Sequence, residues 1–178
     1  MQMGLDGVAT TGSGNPRVDK MLAQLDAAWI DFQASYAGLS DAELLVPGVT
    51  GAWSVRDLIA HVTWWDAEAI SHLPLVLEGG RPPRYSVTYG GIDAFNALMT
   101  ERKAGLTLDE VRTEFVATHE RLVAYILSLE PEEILAEPRF RKRLRLYTFA
   151  HYPIHAEDIR RWRETQEPLR REIPPSSE

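Results

Sequence analysis

The chain has 178 residues, a length that suits one domain with a proper core. Its 19 Lys+Arg against 26 Asp+Glu give a net charge of −7, which argues against a general nucleic-acid binder. There are no cysteines, so disulfides, thiolate nucleophiles and Cys-ligated metals are excluded, and no apolar run approaches the ~18–20 residues that cross a bilayer.

Residues 1–14 lack the basic start and apolar run of a secretion signal and read as a flexible leader. With the lack of cysteine, this fits a cytoplasmic protein. Asn15-Pro16 then opens a helix, with Asn as N-cap and Pro at the first helical position. Val18, Met21, Leu22, Leu25, Trp29, Phe32 and Tyr36 recur at three- and four-residue steps, one apolar face of about six turns ending near Gly38. Ser40 to Glu43 is a capping box for a short helical turn, and Pro47, Gly48 and Gly51 break the chain.

A second long helix starts at Ser54, with Asp57 capping it, and runs to about Gly79. Its stripe is Val55, Leu58, Ile59, Val62, Ala69 and Leu73, and Pro74 is expected to kink it or end it early. Residues 79–91, GGRPPRYSVTYGG, read as a long crossover loop. A third helical region begins near Asp93, is interrupted at Gly105 and restarts at the capping box Thr107–Glu110. Pro131 and Pro138 bracket a connection, and the last helix is expected over about 142–165, with a frayed tail over 166–178. No β-type alternation is sustained. Four long amphipathic helices predict an all-α, antiparallel four-helix bundle over 15–165.

Histidine in the last helix is the unusual feature. At 100° per residue Leu144, Tyr147, Thr148, His151, His155, Asp158 and Trp162 share one face, so both imidazoles point into the bundle one turn apart. Two such rings can reach one ion, or can be hydrogen-bonded core side chains. A third ligand has to come from another helix, and His61, His72 and His119 are the candidates; His72 lies about three turns beyond His61.

The segments GAWSVRDLIAHVTWWDAEAI (51–70) and AHYPIHAEDIRRW (150–162) resemble the DinB/YfiT-like superfamily of bacterial four-helix bundles. Trp53, Ser54, Asp57 and His61 match its first motif, and His151 and His155 its His-x-x-x-His. The resemblance implies that His61, His151 and His155 bind a divalent metal, zinc or nickel, and it selects His61 over His119. It also implies a possible homodimer, and relatives that use low-molecular-weight thiols such as bacillithiol or mycothiol. A related branch, the DfsB-type bundles, shares the Arg-Asp-x-x-x-His-like segment and need not carry a metal; residues 92–96, IDAFN, are similar to that set as well. Pro153 falls between the two last ligands and predicts a local bend.

A three-histidine site leaves positions open for water or substrate. An ion there can lower the pKa of bound water to roughly 7, or ionise a substrate thiol. Asp158, one turn past His155, is placed to orient a ligand or act as a base, or else to pair with an arginine. Trp65, Asp93, Asn96 and Tyr147 are candidates for the wall of a substrate pocket. The basic run 139–145 is neutralised by the acids of 130–137 or docks an anion. The expected function is a metal-dependent hydrolase or thiol transferase acting on a small molecule, with no nucleic-acid or membrane partner. The alternatives are a metal-free small-molecule-binding or self-protection protein, and a non-catalytic dimeric bundle.

Overall fold

Side-chain caps start most of the long helices. In the computed structural model, which describes residues 12–171, the Asn15 side chain accepts the Arg17 N–H and opens α1 (Pro16–Tyr36). Capping boxes at Ser40/Glu43, Ser54/Asp57 and Thr107/Glu110 open α2 (Asp41–Leu44), α3 (Val55–Leu77) and α6 (Leu108–Leu127). Each box satisfies two backbone donors that a helix start otherwise leaves bare. Between them lie α4 (Tyr85–Thr88) and α5 (Ile92–Lys103); α7 (Pro131–Ala136), α8 (Pro138–Tyr147) and α9 (Tyr152–Arg171) complete the described chain. The expected leader up to residue 11 and the expected tail from residue 172 lie outside the described residues.

The fold is an all-α bundle of four columns: α1, α3, α6, and α8 continued by α9. α3 packs chiefly on α6 and α8, and α9 chiefly on α1. Phe32, Leu58, Ile59, Leu122, Leu144 and Ile159 are wholly buried between the columns. The crossover over 79–91 contains α4, and Gly79 (φ 83°) and Gly91 (φ 133°) take left-handed conformations at its ends. Pro74 neither ends nor breaks α3, which runs on to Leu77. Arg56, 8% exposed, ties α3 to the α5–α6 junction: its guanidinium donates to the carbonyls of Lys103 (2.6 Å), Ala104 (3.4 Å) and Leu106.

The last column differs from the sequence expectation of one unbroken helix. α8 already starts at Pro138 and stops at Tyr147, and α9 begins at Tyr152. The break is at Thr148 (φ −124°, ψ −99°), which is buried. Its hydroxyl donates to the Leu144 carbonyl at 2.7 Å, and its own carbonyl accepts from the N–H groups of His151 (2.7 Å) and Tyr152 (2.9 Å). Pro153 is therefore the second residue of a new helix. The first turn has no N–H partner to lose, and the ring meets no preceding helical turn. The expected bend becomes a clean break, with His151 in the connecting turn.

Candidate metal centre

His61 sits in the second turn of α3, His151 in the turn before α9, and His155 in the first turn of α9. Their Nε2 atoms converge: His61 to His151 is 3.0 Å and His155 to His151 is 2.9 Å. One nitrogen from each ring lies within 4.8 Å of the other two. The ring planes are steeply inclined, at 68°, 86° and 75° in the three pairings, so the rings point at a common spot without stacking.

Burial keeps these rings uncharged. His61 is 3% and His155 8% exposed. Burial, then the nearby His155 and His151, pushes the His61 imidazole down to about 2. Burial and then His155 push His151 down to about 3, with the Tyr147 carbonyl opposing. His155 is lowered by burial and partly restored by Asp158.

Neutral rings whose Nε2 atoms meet must share protons or share a cation. Each neutral imidazole has one N–H, and a proton on Nδ1 leaves an Nε2 lone pair facing its neighbours. A tetrahedral ion with ~2.0–2.1 Å bonds holds its nitrogens roughly 3.3 Å apart, close to the spacing seen here. The donor set therefore fits a divalent metal ion.

The outer nitrogens are unequally served. His155 Nδ1 faces Asp158 Oδ2 at 3.5 Å, and the same oxygen accepts from Thr50 Oγ1 at 3.2 Å. Asp158 Oδ1 accepts from Arg161 at 2.7 Å, so the orienting contact and the arginine pair coexist. Nδ1 of all three rings is buried without a well-formed hydrogen bond, and that of His155 has the Asp158 carboxylate nearby. Asp57 caps α3 through the Ser54 N–H and hydroxyl and takes no part in the cluster.

The other histidines lie elsewhere. His72 Nδ1 meets the Tyr147 hydroxyl at 3.3 Å, and its Nε2 is 3.5 Å from Glu68. His119 stacks on Trp29, with ring centroids 4.3 Å apart, and its Nδ1 lies 3.7 Å from Asp66. Neither joins the cluster.

Indoles enclose His61: Trp53 and Trp64 pack at 4.9 and 4.8 Å between ring centroids. Trp53 also lines an open cleft of about 540 Å³, together with Asp93, Asn96, Ala97, Thr100 and Glu101. Asp93 and Asn96 thus share a cleft that is separated from His61 by the Trp53 indole. Trp65 links the cluster to Tyr147: its ring centroid lies 6.4 Å from His61, 5.9 Å from His151 and 5.0 Å from Tyr147. There the Tyr147 hydroxyl also meets Arg143 and, at 3.3 Å, Tyr85. In the basic run, Arg139 pairs with Glu137 at 2.7 Å and holds that carboxyl down at about 2.

Sequence reasoning passed over Asp66 and Tyr152, and weighed their neighbour His119 only as a third metal ligand. Tyr152 was in view inside AHYPIH, but its buried hydroxyl has meaning only through a residue on α3.

A family model described as the DinB superfamily matches residues 24–161. Among solved structures, a chain titled "Sibling Lethal Factor Precursor - DfsB" matches with a TM-score of 0.70 at 15% identity, covering 84% of this chain and 96% of that one. At that identity the likeness concerns the fold. None of the curated proteins matches this sequence. Among the described residues, no helix is long and apolar enough to cross a membrane.

Proposed function

We propose that this chain, which belongs to the DinB superfamily, is a metal-dependent hydrolase or low-molecular-weight-thiol transferase. His61, His151 and His155 would hold one zinc or nickel ion, with a small molecule as substrate. The observation that carries the reading is the convergence of three buried Nε2 atoms within 4.8 Å. When bound, a divalent ion supplies a Lewis acid that lowers the pKa of a coordinated water or thiol.

The rest is done by the chain. All three imidazoles have depressed proton affinity, so their lone pairs are available at neutral pH without displacing protons. Asp158 lies 3.5 Å from the outer nitrogen of His155, which favours the tautomer with its proton on Nδ1 and the Nε2 lone pair facing inward. The same carboxylate is placed to take up a proton released at the site. Trp53 and Trp64 keep bulk water off the His61 side. Asp93 and Asn96 offer polar anchors in the adjoining cleft.

A metal-free protein that holds a small molecule, in the manner suggested for the DfsB-type branch, is the second reading, favoured by the open cleft beside Trp53. Elemental analysis of untagged protein separates the two. Near-stoichiometric zinc or nickel, lost in His151→Ala, supports the enzyme. A metal-free wild type that keeps its fold and resists reloading turns the reading to small-molecule binding. Metal-loaded protein screened against bacillithiol, mycothiol and glutathione then decides the thiol branch, since a ligand of the native state raises its melting temperature.

A further inference from the structure

A second polar group lies at the centre of the bundle, apart from the imidazole cluster. It takes one side chain from each column: Trp29 from α1, Asp66 from α3, His119 from α6 and Tyr152 from α9. Asp66 and Tyr152 are 0% exposed. The Tyr152 hydroxyl donates to Asp66 Oδ1 at 2.5 Å. Asp66 Oδ2 and His119 Nδ1 face each other at 3.7 Å, beyond hydrogen-bond reach, and among the described residues neither has a hydrogen-bond partner. Trp29 lies flat on His119, at 12°.

A buried carboxyl is costly where a leucine would pack, and its position suggests what it does. Tyr152 follows His151 directly and is the first residue of α9. Asp66 lies five positions after His61 on α3. His151 occupies a turn, so no helical register fixes it; its backbone bonds run only to Thr148 and Ile154. α9 packs chiefly on α1, whereas α3 packs on α6 and α8. The Tyr152–Asp66 bond crosses between these two pairs beside the histidines.

We propose that the Tyr152–Asp66 hydrogen bond is the positioning device that sets His151 against His61, with His119 and Trp29 bracing the far side of Asp66. This rests on the metal reading above and adds to it two positioning residues outside the ligand set. The device acts through hydrogen-bond geometry, so an amide at position 66 should serve as well as the carboxyl.

The test compares full-chain wild type, Tyr152→Phe and Asp66→Asn, each titrated with Co²⁺ as the probe. Tyr152→Phe removes only the hydroxyl. Asp66→Asn keeps an oxygen that can accept it. Tyr152→Phe is expected to bind Co²⁺ about 10–100-fold more weakly, the range for losing an outer-sphere partner, with an altered d–d spectrum and a still cooperative melt. Asp66→Asn is expected to keep wild-type affinity and spectrum. Wild-type Co²⁺ binding in Tyr152→Phe overturns the proposal, and so does a loss of more than about tenfold in Asp66→Asn. Should Tyr152→Phe fail to fold, Asp66→Leu, which removes the acceptor, replaces it: the same loss of Co²⁺ affinity is expected, and wild-type binding overturns the proposal. A wild type that takes up no Co²⁺ removes the metal reading instead. The positioning is then read by NMR in metal-free protein: the ring-proton NOE between His61 and His151 must weaken in Tyr152→Phe, and an equal NOE in both proteins overturns it.

Discussion

The Nε2 atoms of His61 and His151 lie 3.0 Å apart although 90 positions separate them in the chain. Two buried, uncharged nitrogens at that distance share either a proton or a cation, and a metal ion would draw all three rings to one point. Zinc or nickel at ~100 times its Kd is therefore expected to stabilise the protein by about 2.7 kcal/mol. For a chain of this size that raises Tm by roughly 5–10 °C. His61→Ala should abolish the shift in a calorimetric melt. An undiminished shift in that variant would place the ion elsewhere.

Acid should weaken the metal-free fold. His61 and His151 titrate near 2 and 3 in the native state, against an ordinary value of 6.5. Below that value the unfolded chain takes up protons that the fold refuses. Stability is therefore lost as pH falls from ~6.5 towards ~3, and these rings contribute no slope above that window. Each contributes up to about 1.4 kcal/mol per pH unit. Burial pushes the Asp66 carboxyl up, which acts with the opposite sign: its contribution falls as pH rises above the ordinary 3.8. Urea midpoints in an Asp66→Asn background isolate the histidines. They should decline between about pH 6.5 and about pH 5, and less steeply when His61 and His151 are both replaced by Gln, with His155 and His72 keeping a share of the slope.

Asp158 touches His155 from outside the cluster. Asp158→Ala should weaken metal binding about 10–100-fold with little change in the urea midpoint. Arg161→Ala removes only the solvent-facing partner of the same carboxylate, and exposed pairs are worth ~0–1 kcal/mol. Competition titrations with a chromogenic chelator should show the first effect and not the second.

Arg56 is buried and serves three backbone carbonyls at the α5–α6 junction. Arg56→Met leaves them without their donor and should cost about 2–4 kcal/mol. Denaturant unfolding measures this, and a loss below about 1 kcal/mol would mean that water replaces the guanidinium.

Pro153→Ala has a sign that separates two pictures. A proline inside a continuous helix costs about 3 kcal/mol, so removing it would stabilise. At the second position of α9 its missing N–H costs nothing, and alanine only loosens the unfolded chain. The variant should be about 0.4–1 kcal/mol less stable, with unchanged metal uptake.

Local chemistry made most of the helices legible. Asn15-Pro16, Ser54 with Asp57, and Thr107 with Glu110 announce their helices because the caps lie within three residues of what they satisfy. The break at residues 148–151 was also written locally, since Pro153 is a start signal as much as a defect; a long apolar face made one helix the simpler reading. The choice among His61, His72 and His119 was not local. All three are buried, and only the crossing of α3 and α9 decides which meets the pair; the family motif stood in for that geometry. The Asp66–Tyr152 bond spans 86 positions and no periodicity encodes it.

Three of the five tryptophans in the chain surround the His61 ring, with Trp53, Trp64 and Trp65 centred 4.9, 4.8 and 6.4 Å from it. Near-ultraviolet emission is thus dominated by fluorophores beside the imidazoles. Open-shell cations such as Co²⁺ and Ni²⁺ quench nearby indoles, whereas closed-shell Zn²⁺ does not, so occupancy and the identity of the occupant can be followed optically in unlabelled protein.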